Sequence, residues 1–109
     1  MRDTAHYYST QGFDIRLLPV DRQGLVVLEY LEACLGPKTA LVGAMLVNNE
    51  IGVIQPVEQI AEMAYRAGAL ILCDAVQGFG RIDIPQQADL IALSGHKIYG
   101  PKGIGALWV

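Results

Sequence analysis

Leu93-Ser94-Gly95-His96-Lys97-Ile98-Tyr99-Gly100-Pro101-Lys102-Gly103-Ile104-Gly105 is the run around which the other residues fall into place. An apolar segment, 88–93, stops where it begins, and another, 104–109, starts where it ends. A hydroxyl, an imidazole and an amine fall within four residues, and glycines follow. Two apolar runs joined by a short polar, glycine-rich turn predict two buried strands with a functional loop between them. Lys97 is the residue of most interest in that loop.

Upstream, the same arrangement recurs twice. The apolar run 69–73 ends in Asp74-Ala75-Val76-Gln77-Gly78, and the run 41–47 ends in Asn48-Asn49-Glu50-Ile51-Gly52. Both are too short for a helix and predict buried strands. Between them, Val57, Ile60, Ala61, Ala64 and Ala67 share one helical face. Pro56 suits the first turn of that helix and Gly68 closes it. A second helix is predicted over 26–35, with Val27, Leu28, Leu31 and Leu35 on one side and Gly36-Pro37 ending it. Pro19 and the 21–24 cluster make a turn. Phe13, Ile15 and Leu17 alternate and predict a strand over 13–18. Residues 1–11 resemble the tail of a helix stopped by Gly12. Strand, helix, strand with runs buried on both faces predicts an α/β fold: a mainly parallel sheet with flanking helices.

Bulk properties narrow the setting. The chain has 109 residues, 52% apolar and 17% charged, with a mean hydropathy of +0.33. A small free-standing domain has a large surface and needs more charge than this. Residues 1–109 therefore read as a single partial domain, the interior portion of something larger or a subunit with a buried interface. No apolar run is long enough to span a bilayer, and the start carries no secretory h-region. The net charge of −3 comes without a basic cluster, which argues against nucleic acid as a partner. Cys34 and Cys73 make neither a metal spacing nor a disulfide framework, and no metal is expected. A reducing, cytoplasmic setting suits them.

If the three strands are parallel neighbours, their polar ends meet, because ligands of open α/β sheets bind outside the carboxyl ends of the strands. Asn48 and Asn49, Asp74 and Gln77, and Ser94, His96 and Lys97 would then line one crevice. A lysine forms imines with carbonyls. A carboxylate facing a pyridine nitrogen makes the ring an electron sink. A hydroxyl and an imidazole beside glycine amides can hold a phosphate. These parts suit pyridoxal phosphate, one option among several on spacing alone.

The motifs Val47-Asn48-Asn49-Glu50-Ile51-Gly52-Val53, Asp74-Ala75-Val76-Gln77 and Ser94 to Gly105 are similar to those of the cysteine desulfurases. That family lies within the class V aminotransferase-like, fold-type I pyridoxal phosphate enzymes. The likeness runs from about Phe13 to Val109 and places the chain in the centre of the large cofactor domain. It implies that Lys97 forms the internal aldimine and shuttles protons, and that Asp74 pairs with the pyridine nitrogen. It implies that Gln77 hydrogen-bonds the phenolic oxygen, that Ser94 and His96 contact the phosphate, and that Asn49 lies beside the cofactor and helps orient the substrate carboxylate. The implied reaction takes sulfur from L-cysteine, leaving L-alanine and an enzyme persulfide, for iron–sulfur clusters or thiolation. A sulfur-acceptor protein and a homodimer of the complete enzyme are the implied partners.

Several parts of the family pattern are not matched. The glycine-and-threonine phosphate loop and the ring-stacking histidine are expected upstream of Met1; His6 lies in the wrong part of the pattern. The persulfide cysteine and the arginine for the substrate carboxylate are expected downstream of Val109. Cys34 and Cys73 match neither role, and the connection between Gln77 and Ser94 is slightly short. The 109 residues alone are thus expected to be inactive. The alternatives are a non-catalytic truncated or structural fragment, a selenocysteine lyase-type enzyme, or another class V aminotransferase-like enzyme. Gly95-x-x-x-x-Gly100 is not a nucleotide P-loop, because Pro101-Lys102-Gly103 follows in place of lysine and a hydroxyl. Asn48 reads as a turn former, and Cys34, Cys73, Met45, Met63 and Trp108 read as packing.

Overall fold

The sheet has four strands in the order of the sequence: β1 (Leu41–Met45), β2 (Leu70–Asp74), β3 (Leu90–Ser94) and β4 (Gly105–Trp108). The computed structural model describes residues 2–109. β1, β2 and β3 run parallel, and β4 returns antiparallel to β3. The expected α/β sheet is therefore present, with its last strand reversed. The connection 95–104 explains the reversal. It is shorter than the dozen or more residues that a parallel crossover needs.

Helix α3 (Val57–Arg66) makes the first crossover. Its Val57, Ile60, Ala61 and Ala64 are buried against β1 and β2, where they meet Val42, Leu46, Ile71 and Cys73. Gly68, at φ 75, ends this helix in the left-handed conformation that costs glycine no steric clash. Pro56 stands at the N-cap, where its missing N–H leaves nothing unpaired. Helix α2 (Leu28–Cys34) lies beside α3 and buries Leu31. The second crossover, 75–89, contains no helix. It is built from consecutive turns, with Gly78 and Phe79 N–H groups donating to the Ala75 carbonyl and Ile82 and Ile84 packed on the core.

The segment 13–18 is not a strand. Phe13, Ile15 and Leu17 are exposed, and the described structure gives them no ladder partner, so their alternation has nothing to pair with. Only Val20 and Val26 form an isolated bridge there. Helix α1 (Arg2–Thr10) precedes this segment, and Tyr8 packs edge-on against Phe13, with ring centroids 5.6 Å apart.

Both helices of the core lie on one face of the sheet. On the other, Leu41, Leu70 and Leu107 are about half exposed. Sheets with parallel strands are ordinarily covered on both faces.

Candidate active site

The strand register decides which side chains meet. Met45 pairs with Asp74, and Asp74 with Ala92, so β1 and β2 end level and β3 runs two residues further, to Ser94. Side chains alternate along a strand, and paired residues share a face. Asp74, Ala92 and Ser94 therefore lie on the face opposite α3. Ser94 stands one strand over and two residues further along than Asp74. That separation is roughly 8 Å from strand spacing and rise, a distance that a single aromatic ring with its substituents bridges.

Asp74 is half-buried. Its Oδ1 accepts the N–H of Val76 at 3.1 Å, which orients the carboxylate at the strand end. Gln77 is half-buried one turn further on. At the third strand, Gly95–Lys97 forms a single 3-10 turn directly after β3. Ser94 Oγ and His96 Nδ1 share a hydrogen bond of 2.7 Å, so hydroxyl and imidazole act as one unit. Lys97 is half-buried at the last position of the turn.

The first strand end divides between its two asparagines. Asn48 is consumed by the backbone: its Oδ1 accepts from the N–H groups of Glu50 and Ile51 at 2.9 and 3.0 Å. Its own N–H donates to the Val53 carbonyl, and Gly52 N–H donates to its carbonyl. Asn49 sits exposed at the tip of this turn. The Asn48 side-chain oxygen thus serves the turn, and Asn49 is the asparagine exposed at its tip.

Two polar residues that sequence motifs do not flag hold the frame. Gln55 Oε1 accepts from Val26 N–H at 2.9 Å, and its Nε2 donates to the Gly24 carbonyl at 2.6 Å. It thereby ties the strand-end turn to a segment about 30 residues earlier. Asp89 Oδ2 accepts from Ile71 N–H at 2.8 Å and aligns β2 with the start of β3. The only signal for Gln55 is its place beside Pro56 at a helix start.

The thiols are placed for packing. Cys73 has no exposed surface, and burial, followed by the neighbouring Asp74 charge, pushes its pKa up to about 11. It is a neutral thiol on the α3 side of the sheet. Cys34 ends α2, and the residues after it line a cavity with Met63, Arg66 and Ala67 of the α3 end, which leads into the amino end of β2. It therefore lies at the wrong end of the sheet for the crevice.

This donor set fits pyridoxal phosphate. A carboxylate, a hydroxyl–imidazole pair and a primary amine stand at successive strand ends, matching a ring nitrogen, a phosphate and an aldehyde. No group of three or more metal-ligating side chains occurs among the described residues. No helix among them is long and apolar enough to cross a membrane.

Comparisons with known proteins agree with the fold. The chain is 46% identical over 110 residues to "Cysteine desulfurase IscS" of Ehrlichia chaffeensis, covering 98% of this chain and 27% of that protein. It is equally similar, at 46%, to "Probable cysteine desulfurase, mitochondrial" of Dictyostelium discoideum, with 98% and 24% covered. Among solved structures it superimposes on "SspA in complex with cysteine" with a TM-score of 0.93 at 39% identity, covering 98% of this chain and 32% of that one. A "NIFS-like protein" matches with a TM-score of 0.92 at 38% identity, covering 98% and 31%. The chain thus spans about a quarter of the length of the curated relatives. The model of the "Aminotransferase class-V" family matches residues 4–109. With residues 4–109 matched in this way, the chain belongs to the class V aminotransferase family.

Proposed function

We propose that these residues are the central piece, a partial domain over 1–109, of the cofactor domain of a pyridoxal-phosphate cysteine desulfurase. The supporting observation is the register that levels Asp74 with the end of β1 and puts Ser94 on the same sheet face, three residues before Lys97. When bound, the cofactor supplies an electron sink for the bond-breaking steps at the substrate.

The chain's own residues have these tasks. Asp74 holds a negative charge toward the pyridine nitrogen with the oxygen that Val76 does not occupy. The Ser94–His96 pair offers donors to the phosphate. Its internal hydrogen bond favours the orientation in which the two side chains stay together. Gln77 donates to the phenolic oxygen, and Asn49 helps to orient the substrate carboxylate. Lys97 anchors the aldehyde and moves a proton at its amine. Neither Cys73, buried and neutral, nor Cys34, at the amino end of the sheet, serves as the persulfide cysteine.

The substrate is L-cysteine, and the sulfur goes to an acceptor protein for iron–sulfur assembly or thiolation. The complete enzyme is a homodimer in a reducing, cytoplasmic setting. The test is to incubate the complete protein with pyridoxal phosphate, L-cysteine and a thiol reductant, and to measure alanine and sulfide. Equal amounts of both are expected, with turnover lost in Lys97→Ala. Undiminished turnover in Lys97→Ala contradicts the assignment. The 109-residue chain alone is expected to release neither product.

A further inference from the structure

The turn carrying Lys97 is closed by its own backbone. The Gly95 carbonyl accepts from Ile98 N–H at 3.1 Å and from Gly100 N–H at 2.8 Å, while Gly95 N–H donates to the Ile104 carbonyl at 2.9 Å. A bond across five residues with a left-handed residue just inside it is the usual way a helix is stopped, with glycine or asparagine in the left-handed place. Here Tyr99 occupies that place at φ 65, and its side chain is fully exposed. Gly100 follows, pressed onto the Gly95 peptide. A Cβ at position 100 would lie 2.8 Å from the Gly95 oxygen, 3.1 Å from its carbonyl carbon and 3.2 Å from its Cα. All three are backbone atoms, so no side chain can swing aside to make room. A Cβ at Gly95 would meet the Ile104 and Pro101 carbonyls at 3.2 and 3.3 Å, a milder crowding.

Lys97 lies between the two ends of this clasp. A three-residue 3-10 turn has little to hold it beyond the bonds that close it, so the position of the lysine backbone depends on how closely residue 100 approaches residue 95. We propose that Gly100 is a positioning residue for the Lys97 amine: its lack of a side chain lets the loop close on Gly95 and holds the amine where the cofactor aldehyde is presented. This rests on Lys97 being the cofactor lysine, as argued above. Of the two residues assigned to the phosphate, Ser94 precedes the clasp on β3, and His96, inside it, is tied to Ser94 Oγ at 2.7 Å. Opening the clasp therefore displaces the amine while Ser94 stays on its strand and holds His96 through their hydrogen bond.

The experiment uses the complete protein with Gly100→Ala. Gly36→Ala is the control, because a Cβ there meets nothing within 4 Å. Each protein is equilibrated with pyridoxal phosphate and the sample is divided. One half gives total bound cofactor by release on denaturation. The other is treated with borohydride, which adds hydride to the imine formed when amine and aldehyde condense with loss of water, and the Lys97 adduct is quantified by mass spectrometry. In Gly100→Ala, bound cofactor should stay within about twofold while the fraction fixed on Lys97 falls by about tenfold or more, the scale of a misplacement near 1 Å. Gly36→Ala should match the unsubstituted protein. Amide exchange at Ile98 should quicken in Gly100→Ala. If that variant does not melt cooperatively, Gly95→Ala carries the same comparison, with a smaller fall. An unchanged adduct fraction in a folded variant overturns the role of Gly100 alone. Absence of a Lys97 adduct in the unsubstituted protein overturns the assignment of Lys97, and this proposal with it.

Discussion

Tyr99 holds a conformation that a bulky residue adopts only at a cost, and no packing compensates for it. Left-handed backbone costs a non-glycine residue about 1–2 kcal/mol, and glycine gives part of this back as unfolded-state entropy. Tyr99→Gly should therefore raise stability by about 0.5–1 kcal/mol, read from the midpoint of urea unfolding. A fall would mean that the phenol makes a contact that offsets the strain. Cys73 gives a second prediction. Its thiol stays protonated up to about pH 11 in the folded chain, whereas an exposed thiol ionises near pH 8.5. Between those values the unfolded state binds fewer protons, so stability falls as pH rises through that window and is unaffected below it. Cys73→Ala should flatten this alkaline decline while lowering stability at neutral pH, as measured by unfolding at pH 7 and pH 10. An alkaline decline of the same size in both proteins would assign it to other groups. The raised pKa also means that Cys73 should resist alkylation at pH 8 until the chain is unfolded.

At the scale of elements, the strands and their polar ends were legible, because β1, β2 and β3 are short unbroken apolar runs cut off by turn residues. α3 was legible for the same reason in a different period. The failure at 13–18 is instructive. Alternation is a property of one segment, but a strand exists only through a partner, and Phe13, Ile15 and Leu17 have none in the described structure. The reversed direction of β4 could have been inferred from the shortness of 95–104. Gln55 and Asp89 were out of reach, since their bonds to Gly24, Val26 and Ile71 join residues far apart in sequence and leave no local pattern. Gln55 is the more telling of the two. Gln55→Ala leaves the Val26 N–H without its acceptor and unties two segments at once. Losing a part-buried partner costs about 1–3 kcal/mol, so the unfolding free energy obtained from denaturant midpoints should fall by that much. A shift below about 0.5 kcal/mol, the usual range of surface substitutions, would mean that water replaces the side chain.

For the whole molecule, the decisive feature is a sheet covered on one side. Leu41, Leu70 and Leu107 lie half exposed on the open face, and the chain spans about a quarter of its curated relatives. The high apolar fraction that pointed to a partial domain in the sequence is thereby given a location. Open apolar faces and unprotected strand edges invite association. The 109-residue chain should elute as a concentration-dependent oligomer in size-exclusion chromatography, and Leu41→Lys with Leu70→Lys should shift it toward monomer. A monomeric unsubstituted chain with a cooperative melt would contradict this. The sequence offered the candidate site residues one by one and their meeting only on condition that the three strands are parallel neighbours, a condition supplied by the register between Met45, Asp74 and Ala92. The account stands on that convergence, and it is tested most directly by trapping. The complete protein is loaded with pyridoxal phosphate, reduced with borohydride and mapped by mass spectrometry over its lysines, of which this chain holds Lys38, Lys97 and Lys102. The account predicts stoichiometric label on Lys97, and loss of cofactor retention in Asp74→Ala. Label spread over Lys38, Lys97 and Lys102 alike, or retention unaffected in Asp74→Ala, would contradict it.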